Sequence, residues 1–156
     1  MAENLKKIID HLNNDNLLEA FALCETSEDK KIEHIILNIK GVILFKQQKL
    51  ALAKIEFLKS INLDKSFIDP YKNLFKLNLR SQNYKSAIEN AGKILELDNQ
   101  KDPISYFNLA LAYDLNQDYK KAIRLYKTVE TLNFKEKKIL FNNLAKCFLS
   151  AQNIDQ

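Results

Sequence analysis

The sequence predicts an all-α fold made of successive helix pairs, and three observations carry that expectation. Alanines recur at Ala20, Ala53, Ala87 and Ala122, at intervals of 33, 34 and 35 residues. The apolar residues around each alanine fall at spacings of three and four, the signature of one buried helix face. The 156 residues include only 2 Gly and 2 Pro, too few turn formers for an all-β chain. A period near 34 residues is that of two-helix repeats, which bury their apolar faces by stacking on neighbours.

The clearest unit begins at Asp102 and Pro103. The aspartate suits an N-cap, and proline suits the first turn, where no backbone donor is required. Tyr106, Leu109, Ala110 and Tyr113 then share one face of a first helix, and residues 116–118 turn the chain. Tyr119, Ala122, Ile123, Tyr126 and Val129 form the second helix. The preceding unit starts at Asp69 and Pro70. It carries Tyr71, Leu74 and Phe75, a turn over 81–83, and then Tyr84, Ala87, Ile88, Ala91 and Ile94. Before it come Leu37, Gly41 and Leu44, a turn at Gln47 and Gln48, and Leu50, Ala53, Phe57 and Ile61. The first unit is the weakest, with Leu5, Ile8, Ile9 and Leu12, a turn over 13–16, then Leu17, Ala20 and Leu23. A last helix carries Phe141, Leu144, Ala145 and Phe148, with a turn expected near 151–153. The units therefore span about 2–28, 34–66, 68–100 and 103–135, with an unpaired helix over 136–152, in one domain of residues 1–156.

An internal offset sets the register. Gly41 to Ala53, Phe75 to Ala87 and Ala110 to Ala122 are each 12 residues apart. Small residues facing one another let two helix axes approach, so Gly41 is expected against Ala53. Phe75 departs from this pattern. It predicts a splayed pair or room made at Ala91 and Gly92.

Net charge is +4, but lysines and carboxylates alternate along the helices. This pattern reads as a solvated helical face, not a phosphate track, and it leaves a mild preference for acidic partners. No nucleic-acid partner is expected. No apolar run approaches the ~20 residues of a membrane span, and the start lacks a signal-peptide core. Cys24 and Cys147 lie in apolar helical patterns and are expected as buried, reduced thiols. Together these predict a cytoplasmic protein. His11 and His34 are read as isolated surface histidines, and no metal, cofactor or catalytic constellation is expected.

The spacing Tyr106-x2-Leu109-Ala110-x2-Tyr113 with Ala122-x3-Tyr126 resembles the tetratricopeptide repeat. Leu37, Gly41 and Leu44 with Ala53-x3-Phe57 resemble it too, as does Phe141-x2-Leu144-Ala145-x2-Phe148. Trp is absent, and Lys65, Asn99 and Phe134 stand where the closing proline belongs. The resemblance implies a right-handed α-solenoid of about 4.5 units, whose first helices line a concave groove. It implies protein or peptide binding with no catalysis.

On those first helices Asn73, Asn108 and Asn143 recur every 35 residues and would form a row. A carboxamide both donates and accepts, so it can hold a peptide backbone regardless of sequence. The same asparagines could equally serve to bond a neighbouring helix, and both readings stand. Lys72, Lys76, Arg80 and Lys146 would meet an acidic peptide or a carboxylate. A full carboxylate clamp is not formed, because Ile104 and Ile139 occupy clamp-lysine positions. Phe45, Phe107, Leu111 and Leu115 would supply apolar stretches of the groove or packing between repeats. Ile154, Asp155 and Gln156 stop where a further repeat alanine would fall. This leaves the last helix an uncovered apolar face and predicts a larger protein or self-association through that end. The expected function is thus a peptide-binding scaffold. The alternatives are the substrate-recruiting front of a larger glycosyltransferase or sulfotransferase, bacterial in type, and an oligomerisation module.

Overall fold

The computed structural model describes residues 2–99 and 102–154, and the side chains of 3–99 and 102–152. Asp155, Gln156 and the expected boundary at residue 100 lie outside the described residues. Among those described, helices α1 (Ala2–Asn13), α2 (Leu17–Glu25), α3 (Glu33–Lys46) and α4 (Leu50–Leu63) come first. Helices α5 (Ile68–Arg80), α6 (Tyr84–Leu97), α7 (Pro103–Leu115), α8 (Tyr119–Thr131) and α9 (Lys137–Ile154) follow. A single 3₁₀ turn, Lys30–Ile32, precedes α3. The architecture is all-α. It divides into two compact units, Met1–Leu77 and Asn78–Gln156.

The regular alanine spacing has a backbone cause. Asp15, Gln48, Gln82 and Gln117 adopt left-handed φ values of 59°, 63°, 54° and 65°. Each follows the first helix of a pair and stands five residues before a repeat alanine. The next residue closes the turn by donating back to the helix. Asn16 N–H reaches His11 O at 2.9 Å, Lys49 reaches Leu44 O at 2.9 Å, Asn83 reaches Asn78 O at 2.8 Å, and Asp118 reaches Tyr113 O at 2.9 Å. These are Schellman closures, which satisfy carbonyls that a helix end otherwise leaves orphaned. The carbonyl of that same residue starts the second helix by accepting from the alanine N–H, at 3.0 Å in all four pairs. One turn geometry therefore recurs four times and fixes where each alanine falls.

Two clusters of buried residues lie in the first unit. Ile8, Ala20, Cys24, Ile36, Ile39 and Ile43 bury one set of faces of α1, α2 and α3. Leu44, Ala53, Phe57, Leu74 and Leu77 bury another, from α3, α4 and α5. Gly41 faces the Phe57 ring. A Cβ there would stand 3.0 Å from Phe57 Cζ and closer still to two other atoms of that ring. Gly41 therefore makes room for the aromatic four residues beyond Ala53. Ser60, fully buried on α4, donates to the His34 carbonyl at 2.6 Å and ties α4 to the start of α3. His34 is no isolated surface group. Its ring meets Phe67 edge-on at 5.2 Å, and Nε2 lies 3.9 Å from Asp64 Oδ2. Helix α5 begins at Ile68, one residue before the expected Asp69, and Pro70 is buried in its first turn.

In the second unit Ala110, Ala122, Tyr126, Val129, Phe134, Leu140, Leu144 and Cys147 form one core between α7, α8 and α9. Phe107 belongs to this core, stacked on Phe134 at 4.9 Å and tilted against Tyr126 at 5.5 Å. It is packing between helices, not groove lining. Phe134, in the place of the closing proline, has its ring buried at that stack. Asp102 caps α7 through Ile104 N–H at 3.0 Å with Pro103 as the first helical residue, as the sequence predicts. The turn expected near 151–153 does not occur, because α9 continues through Ile154. A Cβ on Gly92 would meet nothing within 4 Å, so this glycine makes room for no neighbour. Both cysteines are free and buried. Burial pushes the Cys24 thiol up to about 11 and the Cys147 thiol up to about 12.

Candidate peptide-binding surface

Asn73 and Asn108 sit on the first helix of a pair and Asn143 on the unpaired α9, and their surroundings differ from one to the next. In the first unit Asn73 on α5 is half-buried, and its amide donates to Asn38 Oδ1 at 2.9 Å. Asn38 lies 35 residues before Asn73 and is itself buried, so it is a fourth member of the same series. Sequence reasoning passed over it because Leu37 and Gly41 set that unit's register. The interval alone would have revealed it. In the second unit Asn108 on α7 is half-buried, and its side chain makes no hydrogen bond to any described residue. Asn143 on α9 is half-buried and donates to Tyr126 Oη at 3.4 Å.

These bonds leave capacity. A carboxamide holds two donor hydrogens and an accepting oxygen. The bond from Asn73 uses one donor and orients the side chain, leaving its oxygen and second hydrogen available. Asn143 keeps the same groups.

The cations are less uniform. Lys72 and Lys76 are exposed on α5, and Lys72 Nζ lies 3.8 Å from Asp69 Oδ1. That exposed pair contributes little. Arg80, at the end of α5, is exposed. Lys146 approaches Asp114 Oδ2 at 3.7 Å. Asp114 is only 4% exposed, and its Oδ1 has no hydrogen-bond partner among the described residues. Lys146 thus stands over a buried carboxylate of its own chain, a partner that the sequence did not suggest. Burial and the Asp114 charge both hold the Tyr126 hydroxyl in its protonated form, raising it well above the ordinary value. Ile104 and Ile139, at the clamp positions, are half exposed. No group of three metal-ligating side chains occurs among the described residues. No described helix is long and apolar enough to cross a membrane.

Residues 104–136, which take in α7 and α8, match the tetratricopeptide-repeat family model. Solved structures extend the likeness from that segment to nearly the whole chain. A MamA structure from AMB-1 superposes with a TM-score of 0.79 at 18% identity, over 97% of this chain and 82% of that one. MamA residues 41 to the end, from Desulfovibrio magneticus RS-1, give 0.76 at 16% identity, over 98% and 92%. The Arabidopsis OM64 tetratricopeptide-repeat domain gives 0.62 at 20% identity, over 72% and 94%. The fold is therefore that of tetratricopeptide-repeat solenoids. No curated protein matches the chain in sequence.

Proposed function

We propose that this chain is a protein-binding module that holds an extended peptide segment along its first helices, with no chemistry of its own. Solenoids of stacked repeats present long surfaces for that purpose. The observation that carries the reading is Asn108. Its half-buried carboxamide is left unused by the described residues, at a repeat position that also presents Asn73 and Asn143. A carboxamide with no partner in its own chain keeps its two donor hydrogens and its accepting oxygen available for a ligand backbone. Each such bond contributes about 1 kcal/mol net. Lys72, Lys76 and Arg80 favour an acidic segment, and Lys146 adds to this only where Asp114 leaves its charge unspent.

The test compares variants of the whole chain. Asn108→Ala, and the triple change at Asn73, Asn108 and Asn143, are assayed for capture of a peptide selected from a random library on the native protein. Helix content is followed in parallel by circular dichroism. Loss of capture by folded variants supports the reading. Capture unchanged in the triple variant returns the asparagines to bonds between helices.

A further inference from the structure

Charge is not spread evenly along this chain. Residues 119–146 hold eight of the Lys and Arg side chains and two carboxylates, a local excess of six. The whole chain carries only +4, so the remainder is slightly acidic. Lys120, Lys121, Arg124, Lys127, Lys135, Lys137 and Lys138 are all exposed on α8, α9 and the link between them.

The same region carries an uncovered apolar helix face. Phe141, Phe148 and Leu149 on α9 are 47%, 41% and 66% exposed, and Ala145 between them is exposed as well. The repeat shows what such a face accommodates. Phe141, Ala145 and Phe148 stand 35 residues after Tyr106, Ala110 and Tyr113 on α7. There Ala110 is fully buried in a core with Ala122 and Tyr126 of α8. The α9 face therefore has the form that an antiparallel helix covers on α7, a small residue flanked by aromatics. A notch of about 270 Å³, lined by Val129, Glu130, Leu132, Phe134, Lys137, Leu140 and Phe141, opens at its edge.

Cations frame the face. The Lys127 ammonium stands 5.5 Å from the Phe148 ring centroid. Lys137 and Lys138 occupy the first turn of α9, which contains no acidic residue. Lysines there oppose the helix dipole and cost stability, whereas an anionic neighbour would be attracted by the lysines and the dipole together. At 100° per residue the face lies on the side of α9 opposite Asn143, so it is separate from the asparagine surface.

We propose that the α9 face built by Phe141, Ala145, Phe148 and Leu149 docks an acidic amphipathic helix of a partner protein. The partner helix lies antiparallel to α9, presents a small residue to Ala145, and directs carboxylates toward Lys127, Lys137 and Lys138.

The probe is a synthetic peptide with Tyr, Ala, Ile, Tyr and Val at the spacing of Tyr119, Ala122, Ile123, Tyr126 and Val129, and glutamate at its other positions. Its control carries lysine in place of glutamate. Fluorescence anisotropy with the native chain should show the acidic peptide binding on the order of ten-fold tighter at low salt. The difference should shrink in ~1 M salt, where the screening length falls to about 3 Å. Phe148→Asp, at an exposed site that should not disturb folding, should abolish binding with helix content unchanged. Lys137→Glu with Lys138→Glu should invert the preference between the two peptides, which a purely structural role would not do. Equal binding of both peptides, or binding of neither, overturns the proposal. So does a concentration-dependent dimer that Phe148→Asp dissolves in the absence of peptide, because a second copy would then cover the face.

Discussion

Gly41→Ala and Gly92→Ala make the same chemical change inside two helices and should move stability in opposite directions. In each, alanine gains about 0.5–1 kcal/mol of helix propensity by restricting the unfolded chain. At Gly92 the added methyl meets nothing within 4 Å, so that gain stands alone. At Gly41 the methyl collides with three atoms of the Phe57 ring, and Phe57 is only 1% exposed. A rigid ring in a full core can move only by displacing its neighbours. The cost lies toward the top of the roughly 1–3 kcal/mol typical of overpacking. Gly41→Ala should therefore be destabilised by about 1–2 kcal/mol net, some 2–3 kcal/mol below Gly92→Ala. For a chain of this length each kcal/mol corresponds to roughly 2–4 °C in Tm. Urea titration followed by helix circular dichroism measures the difference, with the m-value checking that each variant unfolds over the same surface. Phe57→Leu should be less harmful in the Gly41→Ala background than in the native chain, since the double change relieves the clash. A Gly41→Ala protein as stable as the native one would refute the reasoning, because the ring would then not occupy the space that the glycine leaves.

Further outcomes follow from the turns, the caps and the thiols. Gln82→Gly should stabilise the chain by up to about 1 kcal/mol, because Gln82 holds φ 54° and glycine adopts that region without a Cβ penalty; thermal melts resolve this. Asp118→Ala should cost about 1 kcal/mol, since Asp118 caps α8 through Lys121 N–H at 3.3 Å and pairs with Lys121 Nζ at 2.8 Å. The Lys121 ammonium, then its backbone N–H, holds the Asp118 carboxyl below its ordinary range. Its stabilisation is therefore complete above the unfolded value near 3.9 and is lost as pH falls through the lower folded value; the native protein minus Asp118→Ala difference, measured against pH, should vanish in acid. Cys24 and Cys147 should resist a thiol reagent at neutral pH in the native protein and react fully in denaturant, since burial suppresses both thiolates; prompt labelling of the native chain would contradict that.

Much of the fold was legible because its determinants are local. Helix spacing needs only neighbouring residues, and Asp102 with Pro103 announces a helix start by its own chemistry. The 33- to 35-residue rhythm of the alanines reflects one turn used four times, each time placing a left-handed residue five positions ahead of the alanine. Less of the candidate surface was legible. The interval of 35 selected Asn73, Asn108 and Asn143, but the bond from Asn73 to Asn38 requires two helices to be packed before it exists. In sequence Phe107 fits groove lining and packing between repeats equally, and only the stack on Phe134 assigns it to packing.

By itself, the sequence determined the helices, their pairing period and the positions of the turns inside the helix pairs, since backbone propensity and apolar spacing act within a few residues. Tertiary packing decided what each small or polar residue faces. It set Gly41 against the Phe57 ring, and it brought Lys146 to the buried Asp114. It left the Phe141 and Phe148 side of α9 open beside the cations of α8. These outcomes depend on which surfaces meet across helices, and no residue's own spacing carries that information.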